Sequence, residues 1–201
     1  MDDASLVAVM NLRREVAMPV DPSRRGPVLL DRFFEEQAVT HVALPEMTRG
    51  SVAGYLNSQG IHAGDLGEPS EKLAGFIFVT GRVGWAFVNA TDILPRRRFT
   101  AAHELGHSVM HRKIMGRFNA DTPDSISEAD ADKVTEMERE ANRFAVELLM
   151  PSEICLARAN EMKLEFGCCP RGVLTYRLAA ELLVSREAMR YRLANLEVGD
   201  E

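Results

Sequence analysis

Two histidines and a glutamate in one short segment have the residue types and spacing of a metal site. His103 and His107 are four residues apart in the segment His103-Glu104-Leu105-Gly106-His107. On a helix, side chains four residues apart stand one above the other, with Cβ atoms roughly 5–6 Å apart, so two imidazoles can converge on one zinc ion. Glu104 is turned aside from that face and can take a proton from water at the metal. The segment predicts a zinc metallopeptidase with Glu104 as its base.

The alternative is that His103 and His107 are partly buried histidines with structural hydrogen bonds. Helical spacing of the surrounding apolar residues predicts a helix over about Phe99 to Arg112. The two histidines then lie within one helix, as a shared metal ion requires. Gly106 weakens a helix interior by roughly 1 kcal/mol relative to alanine, which indicates that another element approaches this face closely. His111 lies four residues further on. Because an α-helix has 3.6 residues per turn, a third residue at this spacing is rotated away from the direction of the first two. We therefore expect it at the surface or beside a metal ligand.

A second helix, ending just before Pro151, is expected to supply the third ligand. Its apolar residues fall on one face, namely Val134, Met137, Ala141, Phe144, Ala145 and Leu148. Glu138 is predicted to lie inside this buried face, where a carboxylate is costly unless it is paired or binds a metal. Glu140 lies at the edge of the apolar stripe and is the second choice. Ala141 and Ala145 would let the two helices approach closely.

The elements before and between these helices are predicted from shorter patterns. We expect a helix at about Leu29 to Glu36, and strand-like sequence from about Val42 to Ala90. The candidate strands are Val52 to Leu56, Ala74 to Val79 and Gly84 to Val88. The last two flank a glycine-containing turn and predict a hairpin. The acidic stretch Asn119 to Asp132 is interpreted as a surface loop. A small sheet followed by helices gives an α+β class.

The C-terminal region, residues 152 to 198, is predicted to be largely helical. Leu178 to Leu193 indicates two short helices, with Ser185 as the N-cap of the second. One interpretation is a helix-turn-helix whose Arg186, Arg190 and Arg192 contact DNA. We favour the other, a packing module with a solvated basic face, because three arginines on an acidic chain give little salt-dependent affinity. The run Arg96 to Arg98 is likewise interpreted as a solvated helix entrance.

Composition limits the classes of protein to consider. The chain has 201 residues, 46% of them hydrophobic and 27% charged, which fits one domain or one domain with a small appendage. The net charge of −6 argues against a protein that coats nucleic acid. No apolar run approaches the roughly 20 residues of a membrane helix. The three cysteines do not form an even set, and the N-terminus lacks a secretory pattern, so we expect a cytoplasmic protein.

Two blocks of sequence resemble the ImmA/IrrE metallo-endopeptidases. The first is Arg97 to His107, RRFTAAHELGH, and the second is Glu138 to Pro151, EREANRFAVELLMP. The second block is the more discriminating, since many unrelated zinc peptidases share the first. By resemblance, the third zinc ligand is the glutamate four residues before Asn142, which is Glu138. The resemblance and the helical-face argument select the same residue.

The resemblance implies an organisation and a function. Residues 1–151 would form a zincin-like metallopeptidase domain with a small mixed sheet, and residues 152–201 a helical, helix-turn-helix-like region. Members of the family cut helix-turn-helix repressors or antitoxin-like regulators and so relieve repression of stress or mobile-element genes. The expected partner is therefore a protein substrate of this kind, and nucleic-acid binding through the C-terminal region is the alternative. The alternative function is a non-catalytic DNA- or repressor-binding regulator with a structural zinc.

Two parts of the expected site are left open by the sequence. The group that stabilises the oxyanion has three candidates, Tyr176, Tyr191 and His111. An edge strand of the sheet could hold an extended substrate by strand addition, but the pattern does not say which strand lies at the edge.

Overall fold

The computed structural model describes residues 4–113 and 128–200 of the chain. Within these residues the helices are α1 Ala4–Glu15, α2 Asp31–Glu36, α3 Arg49–Ser58, α4 Leu94–Met110, α5 Glu128–Leu149, α6 Ser152–Phe166, α7 Arg171–Leu182 and α8 Arg186–Asn195. The strands are β1 Val39–Leu44, β2 Gly75–Thr80 and β3 Val83–Asn89. The mixed α+β class with a small sheet is confirmed. No described helix is both long and apolar enough to cross a membrane.

The sheet has the order β1-β3-β2, so β3 is its central strand. β2 and β3 form the predicted antiparallel hairpin, joined by two residues of which Gly81 has a positive φ of 57°. β1 pairs with β3 in parallel. Of the described sheet, β1 and β2 are therefore the edge strands, which the sequence pattern did not decide.

The predicted strand Val52 to Leu56 is wrong, because this segment lies in the helix α3. Thr48 is the N-cap, and its side chain accepts a hydrogen bond from the backbone N–H of Ser51 at 3.2 Å. Val52 and Leu56 are four residues apart on one face, and both are fully buried. A five-residue window has no room to separate this helical spacing from the alternation of a strand.

The two predicted long helices are present, with different starts. α4 begins at Leu94, five residues before the predicted Phe99, because Pro95 suits the first turn of a helix. α5 begins at Glu128, so residues 128–132 of the predicted acidic loop are helical. Residues 119–127 of that loop lie outside the described residues.

α4 and α5 pack closely where Gly106 faces Phe144. A Cβ at Gly106 would lie 3.0 Å from Phe144 Cδ1 and 3.1 Å from its Cγ, closer than ordinary van der Waals contact. Ala141 and Ala145 are fully buried on the facing side of α5. The prediction that Gly106 and these alanines permit a close approach is confirmed. This contact fixes the two helices that carry the candidate site.

Both ends of the chain hold α5 in place. Arg13 of α1 donates to the carbonyl of Leu148 at 2.8 Å, and Arg192 of α8 donates to that of Met150 at 2.9 Å. Arg192 is also paired through both its terminal nitrogens with the carboxylate of Glu147. Side chains from before and after residue 151 share one hydrophobic cluster. The domain boundary at residue 151 stays a prediction.

The two predicted C-terminal helices are present as α7 and α8, but α7 begins at Arg171, seven residues before the predicted Leu178, and α8 ends at Asn195. Ser185 caps α8, as predicted, by accepting from the N–H of Ala188 at 3.1 Å. The expectation that Arg192 belongs to a solvated basic face is wrong. Arg192 is only 7% exposed, because its side chain points inward and donates a hydrogen bond to the carbonyl of Met150 at the C-terminal end of α5. Arg186 and Arg190 are exposed.

Candidate metal centre

Three side chains from α4 and α5 converge on one point. The Nε2 atoms of His103 and His107 lie 3.0 Å apart. The carboxylate oxygens of Glu138 lie 3.2 Å from each of these nitrogens, Oε2 facing His103 and Oε1 facing His107. The ligand atoms offered by the three residues all lie within 4.8 Å of one another. The structure thus brings together the three residues that the sequence predicts as metal ligands.

The spacing of these atoms fits a small tetrahedrally coordinated ion. Ligand atoms at roughly 2.0–2.1 Å from such an ion are separated from one another by roughly 3.3–3.4 Å. The separations of 3.0 to 3.2 Å between the two Nε2 atoms and the Glu138 oxygens are close to this value. Two imidazoles and one carboxylate are also a donor set that such metals accept. The residues present therefore fit a metal ion.

Glu138 lies at the rim of the site, contrary to the expectation that it is buried. Its side chain is 52% exposed, against 15% for His103 and 7% for His107. Glu138 has the predicted position on α5 next to Ala141 and Ala145, but it reaches the two histidines from the side of the site that is open to solvent. Hydrogen bonds with His103 and His107 hold the pKa of the Glu138 carboxyl well below its usual range.

The two histidines have different electrostatic surroundings. Burial lowers the pKa of His107, although its hydrogen bond with Glu138 opposes this. At His103 burial also lowers the pKa, but the hydrogen bond with Glu138 and the negative charge of Glu104 outweigh it, so that the pKa is raised overall. The acidic side chains around the pair therefore favour a positive charge at this position, as a bound cation would supply.

Glu104 is enclosed between α4 and the start of β2. Its residue exposure is 6%, and burial raises the pKa of its carboxyl to about 7, with nearby His103 lowering it and Glu138 raising it. A Cβ at Gly75 would overlap Oε1 of Glu104 and Cγ2 of Thr100, so only glycine leaves this space for the carboxylate. A carboxyl with a pKa near neutrality is suited to exchange protons during a reaction.

The outer nitrogens of both histidines have hydrogen-bond partners. His103 Nδ1 lies 3.1 Å from Asn142 Oδ1. His107 Nδ1 lies 3.0 Å from His111 Nδ1, and His111 Nε2 lies 2.8 Å from Glu140 Oε2. Each ring is thus held in orientation from behind, as is usual for histidines that bind metals.

These contacts settle the placement of His111 and Glu140. His111 has an exposure of 3% and lies beside His107, so of its two expected positions the surface is wrong. Glu140, the second choice for a ligand, bonds to His111 instead. The contact of Asn142 with His103 was not foreseen. The sequence spacing could have predicted this contact, because Asn142 follows Glu138 by four residues and so lies on the same face of α5.

The two tyrosines proposed for oxyanion stabilisation belong to the C-terminal helices. The hydroxyl of Tyr176 accepts a hydrogen bond from Arg186 at 3.0 Å, and the ring of Tyr191 lies 4.4 Å below the guanidinium of Arg190. Both side chains are exposed. Their assignment to oxyanion stabilisation stays a prediction.

Comparison with models of protein families finds a match. A family model described as the IrrE N-terminal-like domain, peptidase family M78, matches residues 65–194. The matched range includes the hairpin, both helices of the candidate site and nearly all of α7 and α8. No curated protein matches the chain at a significant level.

Proposed function

The chain belongs to the IrrE N-terminal-like domain family of peptidases, and from this premise we propose that it is a zinc metallo-endopeptidase that cuts a regulatory protein. The observation that carries the proposal is the convergence of His103, His107 and Glu138 with Glu104 buried beside them. Zinc is the metal that two imidazoles and one carboxylate hold in many hydrolases of this kind.

Each residue has a role in this proposal. His103, His107 and Glu138 would hold the ion, and the site would then carry a net charge of about +1, since the imidazoles are neutral and the carboxylate is negative. Zinc would supply polarisation of the scissile carbonyl and of a water molecule, whose pKa it lowers to about 7. Glu104 takes the proton of the attacking water and returns it to the leaving amine.

Two features favour a catalytic over a structural metal. Structural zinc sites are closed by four protein ligands, whereas catalytic sites have three and an open position. The described residues bring three ligands together here. Glu104 is adjacent to them, and its pKa of about 7 lies near the pH at which the protein would act. A structural site has no need of such a carboxyl.

The edge strand β2 is our candidate for holding the substrate. It pairs with β3 on one side, and its first residue, Gly75, lies against Glu104. A peptide that added to the side of β2 that has no partner strand among residues 4–113 and 128–200 would run past the proposed base, held by main-chain hydrogen bonds that are largely independent of its sequence. We propose that the scissile segment is extended when it binds.

We further propose that the substrate is a helix-turn-helix repressor or antitoxin-like regulator in the cytoplasm, and that its cleavage relieves repression. This part rests on the resemblance of residues 97–107 and 138–151 to the ImmA/IrrE metallo-endopeptidases. The half-exposed Glu138 side chain supports access of a protein segment to the site.

The test measures zinc content and cleavage together. The purified protein is expected to contain about one zinc ion per chain and to cut a helix-turn-helix repressor encoded beside its gene at a defined bond. Unfolded casein serves as the comparison substrate. Zinc and repressor binding without cleavage would contradict the proposal and support the non-catalytic regulator. Cleavage of casein at a rate comparable to the repressor would indicate a general degradative peptidase.

A further inference from the structure

We propose that His111 and Glu140 are positioning residues that fix the tautomer of the neutral His107 ring that can bind a metal. The proposal rests on the proposed function and concerns residues behind the metal ligands. Its basis is the chain of contacts His107 Nδ1 to His111 Nδ1 at 3.0 Å, and His111 Nε2 to Glu140 Oε2 at 2.8 Å.

The contacts admit one arrangement of protons that suits a metal ligand. A neutral His107 can offer the lone pair of Nε2 to a metal only when its proton is on Nδ1. That proton must then be donated to His111 Nδ1. His111 in turn carries its own proton on Nε2 and donates it to Glu140.

The carboxylate of Glu140 sets the direction in which the two hydrogen bonds are donated. If the proton of a neutral His111 were on Nδ1 instead, the lone pairs of His111 Nε2 and the Glu140 oxygen would face each other at 2.8 Å, which is repulsive. Because His111 is 3% exposed, bulk water has little access to replace either partner. Glu140 therefore acts on His107 through His111 without touching the metal.

The place of His111 in the fold explains how it reaches both partners. It is the residue directly after α4, and its backbone departs from helical geometry with φ −117° and ψ 1°. Its ring contacts His107 of α4 through Nδ1 and Glu140 of α5 through Nε2. The sequence pattern, which assumes a straight helix, does not contain this information.

Zinc affinity, measured by competition with a chromogenic chelator, tests the proposal without using activity. His111→Leu removes the acceptor for His107 and is expected to weaken zinc binding about 10–100-fold. His111→Asn is expected to retain most of the affinity, because the asparagine Oδ1 occupies nearly the place of histidine Nδ1. The exposed His62 provides the control variant His62→Leu, which should bind zinc normally.

A double-mutant comparison adds Glu140→Leu. If Glu140 acts through His111, this change weakens binding alone but has little further effect in the His111→Leu background. Equal losses in His111→Leu and His111→Asn would overturn the proposal and indicate a packing role, which thermal unfolding of the metal-free proteins would also register. If the unsubstituted protein bound no zinc, the proposed function itself would fail.

A second and independent observation concerns a groove between the start of α4 and the helices α7 and α8. Its volume is about 900 Å³, within the range of roughly 300–1,000 Å³ for clefts that bind ligands. We call it the arginine groove, and its principal lining residues are Ile93, Pro95, Arg171, Tyr176, Arg186 and Arg190. We propose that it binds an acidic segment of the protein substrate, and this too rests on the proposed function.

The charge of the groove supports this assignment. It is lined by three arginines and one carboxylate, Glu187, in a chain whose net charge is −6. Arg171 donates to the carbonyls of Val198 and Gly199 at 3.1 Å, which leaves its charge uncompensated. Among the described residues, no ion pair within 4.0 Å involves any of the three guanidinium groups.

The apolar lining favours a peptide over nucleic acid. Ile93 is 71% exposed at the groove and offers an apolar surface that a peptide side chain can cover. The guanidinium of Arg186 lies over the ring of Tyr176, 5.1 Å from its centre, and this contact holds the charge at the groove.

The groove is close enough to the metal site to act on the same substrate. Pro95 precedes His103 by eight residues on α4, which corresponds to about 12 Å along the helix axis. An extended chain covers this distance with about four residues. The acidic segment is therefore expected to lie at least four residues from the scissile bond.

Fluorescence anisotropy with a labelled peptide of four Glu-Leu repeats tests this proposal independently of catalysis. Arg186→Glu combined with Arg190→Glu is expected to weaken peptide binding at least ~10-fold, since charge complementarity is replaced by repulsion. Lys163→Glu combined with Arg177→Glu makes the same change in net charge at exposed positions that do not line the groove.

The outcomes separate the candidate partners. Binding to the unsubstituted protein and to the Lys163/Arg177 control, but not to the Arg186/Arg190 variant, supports the proposal. No binding by the unsubstituted protein, or equal binding by both variants, would overturn it. Tighter binding of a 16-base-pair DNA duplex than of the peptide, lost in the Arg186/Arg190 variant, would assign the groove to nucleic acid instead.

Discussion

Glu104→Gln is expected to lower the rate of peptide-bond cleavage about 10²–10⁴-fold while zinc binding remains intact. Glutamine has nearly the shape of glutamate but cannot take and return a proton, and general acid–base steps contribute a factor of this size. Glu104 is not one of the converging ligands, so the donor set is unchanged. Single-turnover cleavage of the repressor and metal analysis of the same preparation measure the two quantities.

The control for this substitution is Glu136→Gln, an exposed position on α5 whose carboxylate pairs with Arg139 at 3.2 Å. It should cleave at the normal rate. Cleavage by the Glu104 variant at that same rate would show that another group acts as the base. A parallel loss of zinc would show instead that Glu104 supports the metal.

Glu138→Gln is expected to lower zinc affinity by more than ~100-fold and to abolish cleavage with it. The carboxylate is the one negatively charged member of the donor set, and even the outer partners of metal ligands contribute 10–100-fold to affinity. The low pKa of Glu138 means that it is ionised throughout the pH range of an assay. Chelator competition gives the affinity, and repressor cleavage in excess zinc gives the activity.

Glu140→Gln is the matched comparison, because Glu140 was the second choice for the ligand and lies two residues away. A glutamine oxygen can still accept the hydrogen bond of His111, so zinc affinity should fall only modestly. If the Glu140 variant lost zinc and the Glu138 variant kept it, the assignment of the third ligand would have to be reversed.

The sequence predicted the arrangement of the site well because helical periodicity is a local property. The spacing of His103 and His107 requires only that α4 be helical, and the apolar face of α5 indicates which side meets it. The family match over residues 65–194 agrees with the resemblance of the two blocks. The same local logic fails for α3, whose five-residue pattern fits a helix and a strand equally well.

The environment of each side chain was predicted less well. Glu138 was selected as a ligand by an argument from burial, yet its side chain is 52% exposed. The helical pattern predicts the position of Glu138 on α5 correctly. The exposure of the site to solvent depends instead on the segments that pack around the two helices. Arg192 is a similar case. The local sequence around it does not predict the hydrogen bonds with Glu147 and with the carbonyl of Met150 that hold its side chain in a buried position.

The sequence by itself determined that His103 and His107 share one helix face with Glu104 turned aside next to them, because those relations follow from the geometry of a single helix. Only the tertiary structure decided what surrounds His103-Glu104-Leu105-Gly106-His107. The approach of β2 at Gly75 buries Glu104 and raises its pKa to about 7, and the turn after α4 links His107 through His111 to Glu140. Both depend on packing between segments distant in the chain, which no local period encodes.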